Sequence, residues 1–322
     1  MKKTRKFRSL RAPIQLVAPT TGIYLQPFDT ATDKRTRSML PTQPTGQSHD
    51  RSDSVRIMTS SPPSTKTTLA VSSAIARLRS YNLVAACAHL AQGILILVLA
   101  NSFALPVTAS YMTGPPGGTE PRDLVQLFDL RTAWVVAAFF FCSAIAHFAV
   151  AGPGWSRYSA DLARSRNPYR WIEYSVSSSL MIVLIAQLVG IEDIAAFVAL
   201  IGVNASMIAF GWLQERYESP GGGWWPFILG CGAGITPWLA IGIYLAGPGS
   251  SAHAPGFVYA IFFSLFIFFN AFAINQFLQY DQVGKWRDYL FGERAYITLS
   301  LVAKSLLAWQ IFASTLASQS GS

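Results

Sequence analysis

The chain has 322 residues, 51% of them hydrophobic and 13% charged, well short of the roughly 25% charged share of a soluble domain. A formal net charge of +9 would ordinarily suggest nucleic acid. However, residues 1–80 hold 14 Lys/Arg against 4 Asp/Glu and the remainder 11 against 12, so the excess is a tail and nucleic acid is not expected as a partner. Cys87, Cys142 and Cys231 each lie in an apolar run; they exclude a disulfide scaffold and are expected to be small buried packing residues.

Residues 1–80 are basic and rich in Ser, Thr and Pro, with no helical or strand period. Such a segment cannot bury enough apolar surface to offset its ordering entropy, so it is expected to be disordered. It reads as a transit-like leader, as an over-extended start with Met58 as the natural beginning, or as an arm for anionic lipid built on Lys2, Lys3, Arg5, Lys6, Arg8 and Arg11; the Met58 reading is preferred. Residues 81–318 form one membrane domain. Seven apolar segments follow one another, roughly 82–105, 131–151, 168–190, 193–213, 225–246, 255–279 and 290–316. Each has about 20 residues or more, enough for a helix to cross a hydrocarbon core of about 30 Å. Between the first two, residues 106–130 place a β-prone run before Gly114-Pro-Pro-Gly-Gly, which suggests a hairpin.

Cationic residues favour the cytoplasmic loops. With the N-terminus inside, Arg157, Arg164, Arg166, Arg170, Arg216, Lys285, Arg287 and Arg294 fall on the cytoplasmic side, and only Arg122 and Arg131 fall outside. The expectation is an all-α, multi-pass protein of the cell membrane: a seven-transmembrane-helix bundle with a cytoplasmic N-terminus, an extracellular C-terminus and a short β-hairpin in the first extracellular loop.

Charge inside a bilayer is costly and marks function. Two ionisable residues sit deep in the spans: Lys304, near the middle of the seventh, and Glu173, one to two turns into the third. They could form a neutralising ion pair of little net stability. They could instead serve chemistry. A desolvated lysine can condense with an aldehyde to form a Schiff base, and Glu173 is the carboxylate available to balance its charge.

Seven spans with a lysine midway along the seventh resemble the retinal-binding rhodopsins. Ser300-x-x-x-Lys304, Trp171-Ile-Glu173-Tyr-Ser, Gly202-Val-Asn204-Ala-Ser-Met, and the membrane histidines His89 and His147 resemble the heliorhodopsins, over about residues 82–316. The charge-derived orientation agrees, because heliorhodopsins are inverted relative to other microbial rhodopsins. The resemblance implies all-trans retinal bound covalently as a Schiff base on Lys304 with Glu173 as counterion. It also implies photoisomerisation with transient Schiff-base deprotonation and no ion pumping. A sensing or regulatory role, a homodimer with β structure in the first outer loop, and a cytoplasmic signalling partner follow from it.

By local match, Ser177 and Ser300 would face the Schiff base, each one turn from its ionisable partner, and Ser143 is the similar candidate in the second span. His89 and His147 would belong to a polar network on the cytoplasmic side. The pocket should be apolar and aromatic, with Met181, Asn204, Trp238, Phe269 and Gln276 as lining candidates. Rhodopsin proton pumps usually carry a second carboxylate four residues before the lysine and an internal donor about three turns past the counterion. Here those positions are Ser300 and Leu184. This weakens the alternative of a light-driven ion or proton transporter of inverted topology. A third alternative is a seven-helix protein that binds no chromophore. Nothing resembles a P-loop, a zinc site or a Ser/His/Asp set, so no enzyme, catalytic residue or metal is expected.

Overall fold

The structure, a computed structural model, describes residues 65–319. Its elements are α1 (Thr65–Val98), β1 (Ala104–Tyr111), β2 (Asp123–Arg131), α2 (Thr132–Ala151), α3 (Trp155–Leu162), α4 (Pro168–Leu188), α5 (Ile194–Tyr217), α6 (Trp225–Ala246), α7 (Gly256–Tyr280), a 3-10 turn (Gly284–Arg287) and α8 (Tyr289–Gln319). Every helix but α3 contains a stretch long and apolar enough to span a membrane, which gives seven spans among the described residues. Their outer surfaces carry Val84, Ile145, Val198, Ile243 and Ile267. Such an apolar exterior would drive aggregation in water and is the normal contact surface in lipid.

Around the bundle α1 packs on α2, α2 on α4, α4 on α5, α5 on α6, and α7 on α8, which returns to α1. The core joins Phe139 and Phe140 of α2, Ile182, Leu184 and Ile185 of α4, Ile241 of α6, Leu265 of α7 and Leu307 of α8. Two caps set where α4 and α5 begin. Asn167 accepts from the Arg170 N–H, with Pro168 as the first helical residue; proline suits that position because its missing N–H would have no helical acceptor. Asp193 accepts from the N–H groups of Ala195 and Ala196, the usual work of an N-cap carboxylate.

The first connection is the expected hairpin. Strands β1 and β2 pair antiparallel from Ala104↔Arg131 to Tyr111↔Asp123, with a bulge after Val107. The Thr108 N–H donates to the Glu192 carbonyl at 2.9 Å, which ties the hairpin to the α4–α5 turn. Its outer strand leaves Leu124, Leu127 and Phe128 exposed.

Two expectations are corrected. Residues 65–80, placed in the disordered tail, form the first turns of α1. Ile75 and Leu78 there bury against Val150 of α2, Tyr158 and Leu162 of α3, and Leu290 and Ile297 of α8, a tertiary gain that local composition does not reveal. The rest of the tail, including Met58, lies outside the described residues. The cysteines are not buried: Cys87 and Cys231 are exposed and Cys142 is half-buried. In a membrane bundle an apolar run marks the lipid face as readily as the interior.

Candidate functional site

Glu173 is placed by the Asn167 cap, which starts α4 so that Glu173 lies in its second turn and points into the bundle. Lys304 comes from α8, with Ser300 one turn earlier on the same face. The two ionisable side chains are 7% and 3% exposed. Lys304 Nζ donates to Glu173 Oε1 at 3.1 Å and to Ser300 Oγ at 2.7 Å. Ser143 of α2 donates to the same Glu173 oxygen at 2.6 Å. Three helices thus converge on one carboxylate, and each buried polar group there gains a partner that offsets its desolvation. The Lys304 ammonium also lies 5.5 Å from the Tyr174 ring centroid, within range of a cation–π contact.

Ser177 is buried one turn beyond Glu173 and lines a cavity together with Ser300 and Lys304. That cavity, of about 170 Å³, runs between α4, α5, α6, α7 and α8, and its walls are mainly apolar and aromatic. Met181, Trp238, Phe269 and Gln276 line it. Trp238 meets Phe266 and Phe269 edge-on, with both centroid distances 5.3 Å. The Gln276 amide donates to the Gly211 carbonyl at 2.9 Å. Asn204 departs from the expectation. It is buried behind the wall and donates to Ser178 Oγ at 2.7 Å and Ser179 Oγ at 3.0 Å. Its role is to hold Ser178, which does line the cavity; α5 turns the Asn204 amide toward α4 rather than toward the open space.

The histidines meet as a pair. Their rings stack nearly parallel with centroids 5.6 Å apart. His147 Nδ1 lies 2.7 Å from Asn82 Oδ1. His89 is fully buried, and neither of its ring nitrogens has a partner among the described residues. His147 and Glu173 share a smaller, more polar cavity with Asn82, Tyr158, Asn167, Arg170 and Glu293. Tyr158 belongs to α3, outside the spans. Burial, reinforced by the Glu293 charge, pushes its hydroxyl well above the usual tyrosine range, so it stays protonated.

A second buried ionic group was not expected, since only Lys304 and Glu173 were read as deep. Arg170 pairs with Glu215 at 3.0 Å and also with Glu293. Asn167 donates to Glu293 at 2.6 Å, Tyr289 donates to Glu215 at 2.7 Å, and the Trp171 indole N–H also donates to Glu215. The Arg170 guanidinium lies between the Trp171 and Tyr296 rings, 4.4 and 3.9 Å from their centroids. Arg170, a loop cation by its position in the sequence, is instead a buried residue of α4. The available signal was Glu293 inside the seventh apolar segment, whose charge requires a buried partner.

A family model described as Heliorhodopsin matches residues 78–316. No curated protein matches the chain. Among solved structures, the chain is similar to the light-driven proton pump LR (Mac) from Leptosphaeria maculans, with 15% identity and a TM-score of 0.52 over 74% of this chain and 96% of that one. It is also similar to a thermophilic rhodopsin, with 14% identity and a TM-score of 0.45 over 76% of this chain and 93% of that one. At such identities the first likeness concerns the fold alone, and the second carries no weight of its own.

Proposed function

The chain belongs to the heliorhodopsin family; it is a retinal-binding rhodopsin and a multi-pass membrane protein, and we propose that it acts as a light receptor through Lys304 and Glu173. The observation that carries this reading is the buried Lys304–Glu173 pair, whose lysine lines an apolar, aromatic cavity. Those residues fit a long apolar aldehyde: an amine in the cavity wall, a carboxylate beside that amine, and aromatic rings lining the space. Lys304 Nζ, in its neutral form, would hold all-trans retinal by condensing with its aldehyde and releasing one water. Bound retinal supplies a light-driven double-bond isomerisation. Glu173 balances the positive charge at Lys304 Nζ, and Ser143 and Ser300 hold the two partners in register. Ser177 supplies a hydroxyl that can donate or accept as charge moves. When the proton at Lys304 Nζ departs transiently, Glu173 and the His89–His147 pair form the acceptor side.

Sensing is favoured over pumping. Chain positions between Glu173 and Glu192 contain no carboxylate, and Ile182, Leu184 and Ile185 fill that part of α4 with buried apolar groups. Family membership supports a photoreceptor rather than an enzyme. The N-terminus is cytoplasmic and the C-terminus extracellular, because even without the buried Arg170 seven cations in the loops or at helix ends fall on one side against two on the other, which puts α3 and the histidine network on the cytoplasmic side. Beyond membrane lipids, we take the partners to be a second copy of the chain, through the exposed face of β2, and a cytoplasmic signalling protein.

Addition of all-trans retinal to the purified chain tests the reading. A visible absorption band should appear, and Lys304→Ala should abolish it. A band that survives in Lys304→Ala removes the central assignment. Illuminated cells should leave the pH of their medium unchanged; a protonophore-sensitive drift would favour the transporter.

A further inference from the structure

Helix α3 sits at the surface of the bundle yet reaches its buried polar centre. Tyr158, 1% exposed, points inward from it. Asn82 Nδ2 donates to the Tyr158 hydroxyl at 3.4 Å and to the Leu78 carbonyl at 2.9 Å. The other end of the same amide, Oδ1, meets His147 Nδ1 at 2.7 Å. His147 stacks on His89 and borders the small cavity that also receives Glu173. A continuous set of polar contacts and shared cavity walls therefore joins the Lys304–Glu173 pair to α3.

The joints of α3 are tight turns. Gly152-Pro153-Gly154 leads into it, and Gly154 lies so close to the Ala149 carbonyl that an added Cβ would stand 2.8 Å from that oxygen. Ser165, just past its end, holds a positive φ of 55°, a left-handed conformation that costs a serine free energy. Between these turns, α3 is held by Tyr158 and Leu162 in their apolar cluster and by Arg79, which lies 5.2 Å from the Trp155 centroid and donates to the Ala151 carbonyl at 2.7 Å. The Asn82–Tyr158 bond, at 3.4 Å, is the longest contact of the polar set and so the weakest.

We propose that α3 is the output element of the receptor: a short surface helix whose position follows the charge state of the Lys304–Glu173 site through His147, Asn82 and Tyr158. This rests on the photoreceptor reading above. A proton arriving at Glu173 or His147 changes the strength of the hydrogen bond that His147 Nδ1–H donates to Asn82 Oδ1. The Asn82 amide has both ends committed, so it cannot adjust to His147 without moving its donor away from or toward Tyr158. The responding face of α3 carries Ser156, Arg157 and Ala160, all exposed. Coupling along such a chain is demonstrated by removing one link and losing the response, not by proximity.

The test uses the full chain loaded with all-trans retinal, with Cys87, Cys142 and Cys231 each changed to Ala. A spin label is attached at Ala160→Cys, an exposed position on α3. Flash-induced visible absorption and label mobility are recorded on the same sample. The label should respond to light and relax with the visible signal. Asn82→Leu and, separately, Tyr158→Phe should reduce its response by about fivefold or more while the optical cycle persists. Tyr158→Phe keeps the ring that packs α3, and its visible band reports that the bundle has folded. An optical cycle with a silent label overturns the proposal, as does a full label response in Tyr158→Phe. A chain that takes up no retinal sinks the photoreceptor reading and this proposal together, so the two failures are distinct.

Discussion

Lys304 and Ser143, from α8 and α2, donate to the same oxygen of Glu173, at 3.1 and 2.6 Å. One carboxylate oxygen thus carries both the ionic contact and a hydroxyl that spreads its charge. The two partners should act on the chromophore in opposite senses. Glu173→Gln removes the balancing charge, lowers the excitation gap and moves the visible band to the red. Ser143→Ala leaves the charge and removes the hydroxyl that shares it, so Glu173 interacts more strongly with its cationic partner and the band moves a smaller distance to the blue. Absorption spectra of the two variants decide the matter. An unmoved band in Glu173→Gln would reassign the counterion.

Gly211 bears on the cavity without lining it by a side chain. A Cβ at this position would stand 2.6 Å from Trp171 Cζ3, and the Trp171 indole is held by Glu215. Gly211→Ala should therefore push a wall residue of the cavity, costing about 1–3 kcal/mol, slowing retinal uptake and displacing the band. Gly202, where an added Cβ meets nothing within 4 Å, is the control: Gly202→Ala should match the parent in both. Equal behaviour of the two variants would free Trp171 from this positioning role.

The Arg170 group should dominate stability rather than colour. Arg170→Gln leaves Glu215 and Glu293 buried beside one another without a cation, a change that typically costs about 3–5 kcal/mol. The temperature at which the visible band bleaches should fall on the order of 10 °C. The exposed pair of Arg294 and Asp288, 3.7 Å apart, makes the comparison. Arg294→Gln should shift bleaching by no more than about 2 °C. A small effect of Arg170→Gln would mean that the two carboxylates find other partners or take up protons.

The hairpin bears on assembly. Leu124 and Phe128 are 69% and 50% exposed on β2, outside the spans and next to α2. If this face joins two copies, Phe128→Lys should convert a dimer to a monomer in detergent, read as the protein mass from light scattering. A dimer that persists in Phe128→Lys places the contact elsewhere.

The membrane class, the seven spans, the hairpin and the Lys304–Glu173 pair were legible in the chain because each rests on a local quantity. Hydrocarbon thickness fixes span length, turn chemistry marks the hairpin, and a charge within an apolar run is conspicuous wherever its partner lies. The helical faces of Ser177 and Ser300 were legible too, since i,i+4 spacing puts each on the face of its ionisable neighbour. Other features rest on how helices turn toward one another. Asn204 was expected on the cavity wall and instead braces Ser178 from behind. Arg170 read as a loop cation, and Glu215 passed unnoticed at the end of a span, because no local pattern shows that three helices bring Arg170, Glu215 and Glu293 into one buried group.

By itself the sequence determined the solvent in which this chain folds and the charged residues at its centre, since hydropathy and a lysine within an apolar run need no partner to be read. Tertiary structure alone decided the surroundings of that chemistry. It chose which oxygen of Glu173 is shared, which residues wall the cavity, and that Asn82 connects the centre to a surface helix 76 residues away in the chain. The reason is physical. Burial of a charge is priced by composition, but its compensation comes from groups that only helix packing brings within hydrogen-bond reach.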